Sequence, residues 1–173
     1  EDLREQMLVQ EREARKKLQN SEALYTSLVD NLDQCLIRKD LESRLTFANV
    51  AFCRLHGTTL DQLIGTTGFE LLDPEDAQKV RADDLYVIES GQKLITEDLM
   101  RDSLDHQKSI WLYGVKTPLR DAGGTIIGVQ IIFWDTTQRK LAEEQLKQAK
   151  DAAVPARQQA EAANAAKTRF LGN

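Results

Sequence analysis

Cysteine and histidine are nearly absent from this chain, and so is proline: 173 residues hold two Cys, two His and three Pro. Cys35 and Cys53 lack the paired spacing of a zinc site and are too few to staple a secreted domain. They read as two buried thiols in a reducing, cytoplasmic setting. His56 and His106 are too isolated to suggest a metal centre. No apolar run approaches the roughly 20 residues that cross a bilayer, and residues 1–20 are too charged for a signal peptide, so no direct membrane contact is expected. An excess of positive charge is missing too. Lys and Arg total 23 against 28 acids, a net charge of −5, and the basic residues are interleaved with acids. A nucleic-acid partner is therefore not expected. No nucleophile–base pairing is visible, so the chain itself is expected to carry no catalysis. Glu75-Asp76 and Asp83-Asp84 read as capping and surface carboxylates of a solvated helix.

The remaining composition, 41% apolar and 29% charged, supports one core plus long solvated helices. Residues 1–20 contain no Gly or Pro, and Leu3, Met7, Ala14 and Leu18 make a thin apolar stripe suited to a two-helix seam. Ser21 opens a second helical piece carrying Leu24, Leu28 and Leu32. From Gln34 the pattern changes. QCLIRK and RLTFA form a hairpin around the turn Asp40–Ser43, and Asn49 caps a short helix that stops at Gly57. Two more short turns follow. Asp73-Pro74-Glu75-Asp76 then starts a longer helix that ends at Gly91, with an N-cap Asp and Pro at the first helical position. Leu94–Arg101, Ser109–Leu119 and Thr125–Trp134 read as three antiparallel strands, turning at Asp105-His106-Gln107 and Asp121–Gly124.

The last strand runs directly into a helix. Ile127, Val129, Ile131 and Phe133 alternate along it, Asp135 and Thr137 are helix-cap residues, and Gln138 stands three after Asp135 in capping-box spacing. A strand passing into a long helix can carry strain out of a sheet. Beyond it, Ala142, Leu146, Ala149, Ala153, Ala156, Ala160, Ala163, Lys167 and Phe170 form a weak heptad seam. Pro155 lies inside that seam and predicts a kink or break near residues 151–155. A solvated linker helix that pairs with nothing is the plainer alternative.

DLESRLTFAN, LDQLIGTTGFELLDPED, TPLRDAGGTIIGV and WDTTQRK together resemble a PAS domain, over about residues 22–140. The resemblance implies an α+β PAS fold: a five-stranded antiparallel sheet with short helices on one face, flanked by N- and C-terminal coiled-coil-type helices. It divides the chain into a signalling helix (1–21), a sensory domain (22–137) and an exit helix (138–173). Ser43 stands where the first turn of the family usually has Gly, which implies strain. Thr136 stands where the exit motif usually has an apolar residue. AANAAKTRFLGN resembles the segment that precedes the phospho-accepting histidine of sensor histidine kinases. The implied parent is such a kinase, with a homodimer formed through the terminal helices and kinase domains as partners in the parent chain.

PAS domains often hold a small molecule between sheet and helices. Flavin-binding light sensors of the family need a reactive Cys in an N-C-R-F-type helix, whereas Cys53 lies in AFCRL. Phe133 stands where those sensors carry a flavin-contacting Gln. Haem-binding members use a His on the long helix, and residues 74–90 contain none. No cofactor is therefore expected. His56 reads first as a helix C-terminal residue and only second as a ligand. On the strand 109–119, apolarity favours Trp111, Tyr113, Val115 and Thr117 for the core, while the resemblance favours Leu112, Gly114 and Lys116. In the second register Lys39 and Lys116 both face the cavity, and the candidate pocket residues are Lys39, Phe47, Leu112, Lys116, Ile131 and Phe133. Two inward lysines call for a counter-anion, so a bound ligand is expected to be a small organic anion. The competing reading has both ammonium groups snorkel to water. Trp134, Asp135 and Thr137 form the expected signal junction. The overall expectation is a sensory module that senses a small ligand or relays an upstream signal. Its rivals are a ligand-free dimerisation and relay module and a redox or cofactor sensor.

Overall fold

The computed structural model describes residues 2–102, 104, 105 and 107–171. His106 of the predicted turn, and Gly172 and Asn173 of the kinase-like segment, lie outside the described residues. Contacts divide the chain into two units, Glu1–Trp134 and Asp135–Asn173.

In the first unit α1 (Asp2–Asp30) leads into β1 (Cys35–Lys39), β2 (Leu45–Ala48), three short helices α2 (Val50–Leu55), α3 (Leu60–Leu63) and α4 (Gly68–Leu71), the longer α5 (Pro74–Ser90), and then β3 (Leu94–Arg101), β4 (Ser109–Arg120) and β5 (Ile126–Asp135). The two helical pieces expected before Gln34 are one continuous helix, because Ser21 costs little where no Gly or Pro interrupts. Of α1 only Val29 is buried. The sheet order is β2-β1-β5-β4-β3, so the strand that leaves the domain last lies at its centre. Val129 and Ile131 of β5 are buried there with Ile37, Leu45, Phe52, Leu63 and Val87.

Three local features position the interior. Asn49 is fully buried and uses its whole amide. Its oxygen accepts from the N–H groups of Leu36 and Phe52, and its nitrogen donates to the carbonyls of Val29 and Gln34. One side chain thus caps α2 and ties it to β1 and to the end of α1. Gly128 lies so close to β1 that a Cβ there would stand 1.9 Å from the Lys39 carbonyl oxygen, so any side chain would force the two central strands apart. The β1–β2 pairing carries a bulge: Arg38 pairs with Phe47 but Lys39 with Leu45, leaving Thr46 as the extra residue.

Helix α5 has the expected bounds and ends on Gly91 in the left-handed conformation, φ 65°. Its start is corrected in one respect. The Asp73 side chain makes no cap hydrogen bond; its carboxylate pairs with Arg101 of β3 at 3.0 Å. In the second unit α6 (Thr137–Leu171) is a single helix. Of the kink or break expected near Pro155, the break is absent: the helix continues through it. The missing N–H costs one helical hydrogen bond, which the alanine-rich flanks, strong helix formers, offset.

Candidate functional site

Sheet and short helices enclose a cavity of about 110 Å³. Its walls are mainly apolar, with Ile37, Leu45, Phe52, Leu71, Ile131 and Phe133 among them, and Lys39, His56, Asp83, Asp98 and Lys116 add polar atoms. The inward register of β4 is Leu112, Gly114 and Lys116, not the more apolar set. Tyr113 packs tilted against Trp134 with ring centroids 4.9 Å apart, and Trp134 is one of the exposed residues of β5. Apolarity misleads on this strand because α5 places a carboxylate opposite Lys116.

That carboxylate is Asp84, which has no exposed surface. The sequence reading had placed it on a solvated face, and the structure corrects this. One Asp84 oxygen accepts from Lys39 Nζ at 2.9 Å and from Ser43 Oγ at 3.1 Å; the other accepts from Lys116 Nζ at 2.8 Å. Lys116 also donates to the Val80 carbonyl at 3.1 Å and lies 3.6 Å from the Asp83 carboxylate. Neither lysine snorkels to water: their side chains are 7% and 6% exposed. The counter-anion expected from a ligand is supplied by the protein. Burial alone would push the Asp84 carboxyl up, but the Lys39 and Lys116 ammonium groups outweigh it and hold the group below its ordinary range. Burial dominates at Lys39 and pushes its ammonium down, against the pull of Asp84. A signal for Asp84 was available. Ala77, Asp84 and Val87 are all buried and recur at seven and three residues, the spacing of a core-facing helical stripe.

The network extends into the first turn. Ser43 adopts φ 61°, the strained region expected from its occupying a glycine position. Its hydroxyl donates to Asp84 and accepts from Arg81 at 2.5 Å, and Arg81 also bonds the Leu41 carbonyl. Glycine would relieve the strain but could make neither hydroxyl contact.

The opposite end of the cavity is aromatic. Phe133 pairs with Cys35 and Val129 with Lys39, so Phe133 lies four strand residues, about 13 Å, from the charged end. Phe52 meets Phe133 edge-on with ring centroids 5.9 Å apart, and His56 packs tilted against Phe52 with centroids 4.4 Å apart. His56 is the C-cap residue of α2, its backbone N–H bonded to Phe52, as the plainer reading had it, yet its side chain lines the cavity. Burial lowers its pKa.

Of the six candidate pocket residues, Lys39, Leu112, Lys116, Ile131 and Phe133 line the cavity and Phe47 does not. The bulge at Thr46 breaks strand parity and turns Phe47 to the outer face. There its ring and that of Tyr25 flank the Arg38 guanidinium at 5.8 and 5.5 Å, and Arg38 donates to Gln130 of β5 at 3.1 Å. At the junction the Asp135 carboxylate accepts from the Thr137 N–H at 2.7 Å, while Trp134 is more than one-third exposed. Burial, then the neighbouring Cys53, pushes the Cys35 thiol up to about 11, which makes it a poor nucleophile.

This sheet order, helix arrangement and cavity define a PAS domain. The chain belongs to the PAS fold family, whose model matches residues 29–141. It is 32% identical over 135 residues to the two-component sensor PprA of Pseudomonas aeruginosa and 28% over 130 residues to the methanogenesis regulatory histidine kinase FilI of Methanothrix harundinacea. Those matches take in 78% and 75% of this chain but only 14% of either relative. Among solved structures it resembles VqmA bound to DPO, at 30% identity and TM-score 0.59, over 65% of this chain and 57% of that one. A VqmA–ligand–DNA complex from Vibrio cholerae is alike at 30% identity and TM-score 0.60, over 66% and 51%.

The VqmA structures overturn the expectation about partners, which comprised a homodimer through the terminal helices, kinase domains in the parent chain, no nucleic acid and no membrane contact. A neighbour at 30% identity occurs in a complex with DNA. The charge balance describes only this stretch, and the match leaves about half of VqmA uncovered, so composition here does not speak for a whole protein's partners. Among the described residues no helix is long and apolar enough to cross a membrane.

Proposed function

We propose that this chain is the sensory module of a two-component signalling protein, and that occupancy of its cavity by a small molecule is transmitted through β5 into α6. One observation carries the reading. Ile131 and Phe133 line the cavity on the central strand, and that strand reaches α6 with only Thr136 between them. The descriptions of PprA and FilI support the two-component setting, and the binding of DPO by VqmA supports a small-molecule input. The raised Cys35 thiol weighs against a redox reporter.

A second input is favoured by the outer face. Tyr25 of α1 touches Arg38, and Arg38 is bonded to Gln130 of β5, a route from the N-terminal helix to the same strand that bypasses the cavity. Backbone amide NMR tests the main reading. A cavity-bound probe should shift Ile131 and Phe133, then Trp134, Asp135 and Thr137. Asp135→Ala should keep the domain folded and the cavity shifts intact while abolishing those in α6. Shifts confined to the cavity residues of the wild type would contradict transmission through β5.

A further inference from the structure

The charged end of the cavity selects the chemistry of what can enter, an inference that rests on reading the cavity as a ligand site. Lys116 is surrounded by acceptors: the Val80 carbonyl, Asp84 and, at 3.6 Å, Asp83. Lys39 differs. Its side chain is 7% exposed and lines the cavity, and its ammonium has one hydrogen-bond partner among the described residues, Asp84. An ammonium carries three donors, so two are left for the interior, where an unmet donor is costly.

Each charge that lines the cavity already has a partner in the protein. Lys39 and Lys116 face Asp84 and Asp83, Arg101 pairs with Asp73 and Asp98 with Lys79, and the further cation Arg81, bonded to Ser43 and the Leu41 carbonyl, does not line the cavity. A carboxylate guest would bring a third anion against two fixed ones, and its desolvation would go uncompensated. A neutral acceptor would satisfy Lys39 without that penalty. The volume, about 110 Å³, is of the order of the ~150 Å³ apolar cavity that accommodates benzene. His56, whose pKa burial pushes below its ordinary value, is disfavoured as a cation to attract an anion.

We propose that the cavity takes small, uncharged molecules of about single-ring size that present a hydrogen-bond acceptor to the Lys39 ammonium, and that Lys116 is part of the wall and not a ligand contact.

The test compares three ring probes of similar size, pyridine, benzene and benzoate, by saturation-transfer NMR at pH 7.5 on the full chain. Pyridine should bind the wild type at least tenfold more tightly than benzene or benzoate. Lys39→Met should erase the advantage of pyridine over benzene and leave benzene unchanged. Lys39→Arg, which keeps the charge but moves the donors, should cut that advantage too and serves if the Met variant does not fold. Benzoate binding more tightly than pyridine, or an advantage for pyridine that survives both variants, would overturn the proposal. Leu112→Trp, which fills the cavity, should abolish binding of all three. Pyridine binding unimpaired in Leu112→Trp would overturn the cavity reading itself, and failure of every probe on the wild type would overturn both.

Discussion

The two ends of one cavity are held by opposite physics. At the Lys39 end a single buried carboxylate pairs with two ammonium groups and a serine hydroxyl. At the Phe133 end aromatic rings pack edge-on and tilted, and no ion is needed. The first arrangement is brittle, because removing one member strands the others in a low dielectric. The second is graded, since apolar contacts weaken in proportion to the volume lost. Rigid charge at one end and adaptable packing at the other suit a cavity that fixes a guest's polar group while its bulk presses on β5.

The sharpest way to break this contrast is at Asp84. Asp84→Leu leaves the buried Lys39 ammonium without its anion and Lys116 with only the longer contact to Asp83, and should cost about 3–5 kcal/mol in urea unfolding. Asp83→Asn, at a partly exposed position, should cost under about 1 kcal/mol. Equal losses at the two positions would mean that Asp84 is not the centre. At the aromatic end Phe52→Leu should cost about 1–2 kcal/mol, from lost volume and the lost edge-on pair. A loss as large as that of Asp84→Leu would erase the distinction.

Acid separates the ends by order. The folded-state pKa of His56 lies below its ordinary value of 6.5, so the unfolded chain protonates first and stability falls as pH drops below 6.5. That of Asp84 lies below its ordinary 3.8, so its contribution is kept above 3.8 and lost as pH falls further. Urea midpoints should therefore decline in two stages, and His56→Gln should remove only the first. The smallest effect is expected at Ser43. Ser43→Gly relieves about 1 kcal/mol of left-handed strain and gives up two hydroxyl contacts, to Asp84 and from Arg81, together worth about 1–2 kcal/mol, for a net change within about 1 kcal/mol by thermal unfolding. A strong stabilisation would show that the hydroxyl contributes little to Asp84.

Strand parity and cap residues made much of this domain legible beforehand. The order of elements, the Gly91 stop and the inward pair Lys39 and Lys116 follow from local pattern and the family resemblance. What stayed hidden is non-local. That two lysines need an anion was evident, but that it comes from α5 depends on how a helix packs across a sheet, and the neighbouring Asp83 made Asp84 look like surface. Phe47 was misplaced because a bulge, which shifts parity by one, leaves no mark in a strand as short as LTFA. Pro155, where a kink or break was expected, does not end the helix, since propensity summed over many alanines outweighs one residue.

The claim underlying the whole account is that the counter-anion of the cavity belongs to the protein and is ionised. The most direct measurement is the carboxyl ¹³C shift of Asp84, followed by NMR as the folded protein is acidified from pH 7. The account predicts that Asp84 stays ionised below its ordinary 3.8, until unfolding begins. A carboxyl that takes up its proton in the folded state well above 3.8 would contradict it and return the search for the anion to a ligand.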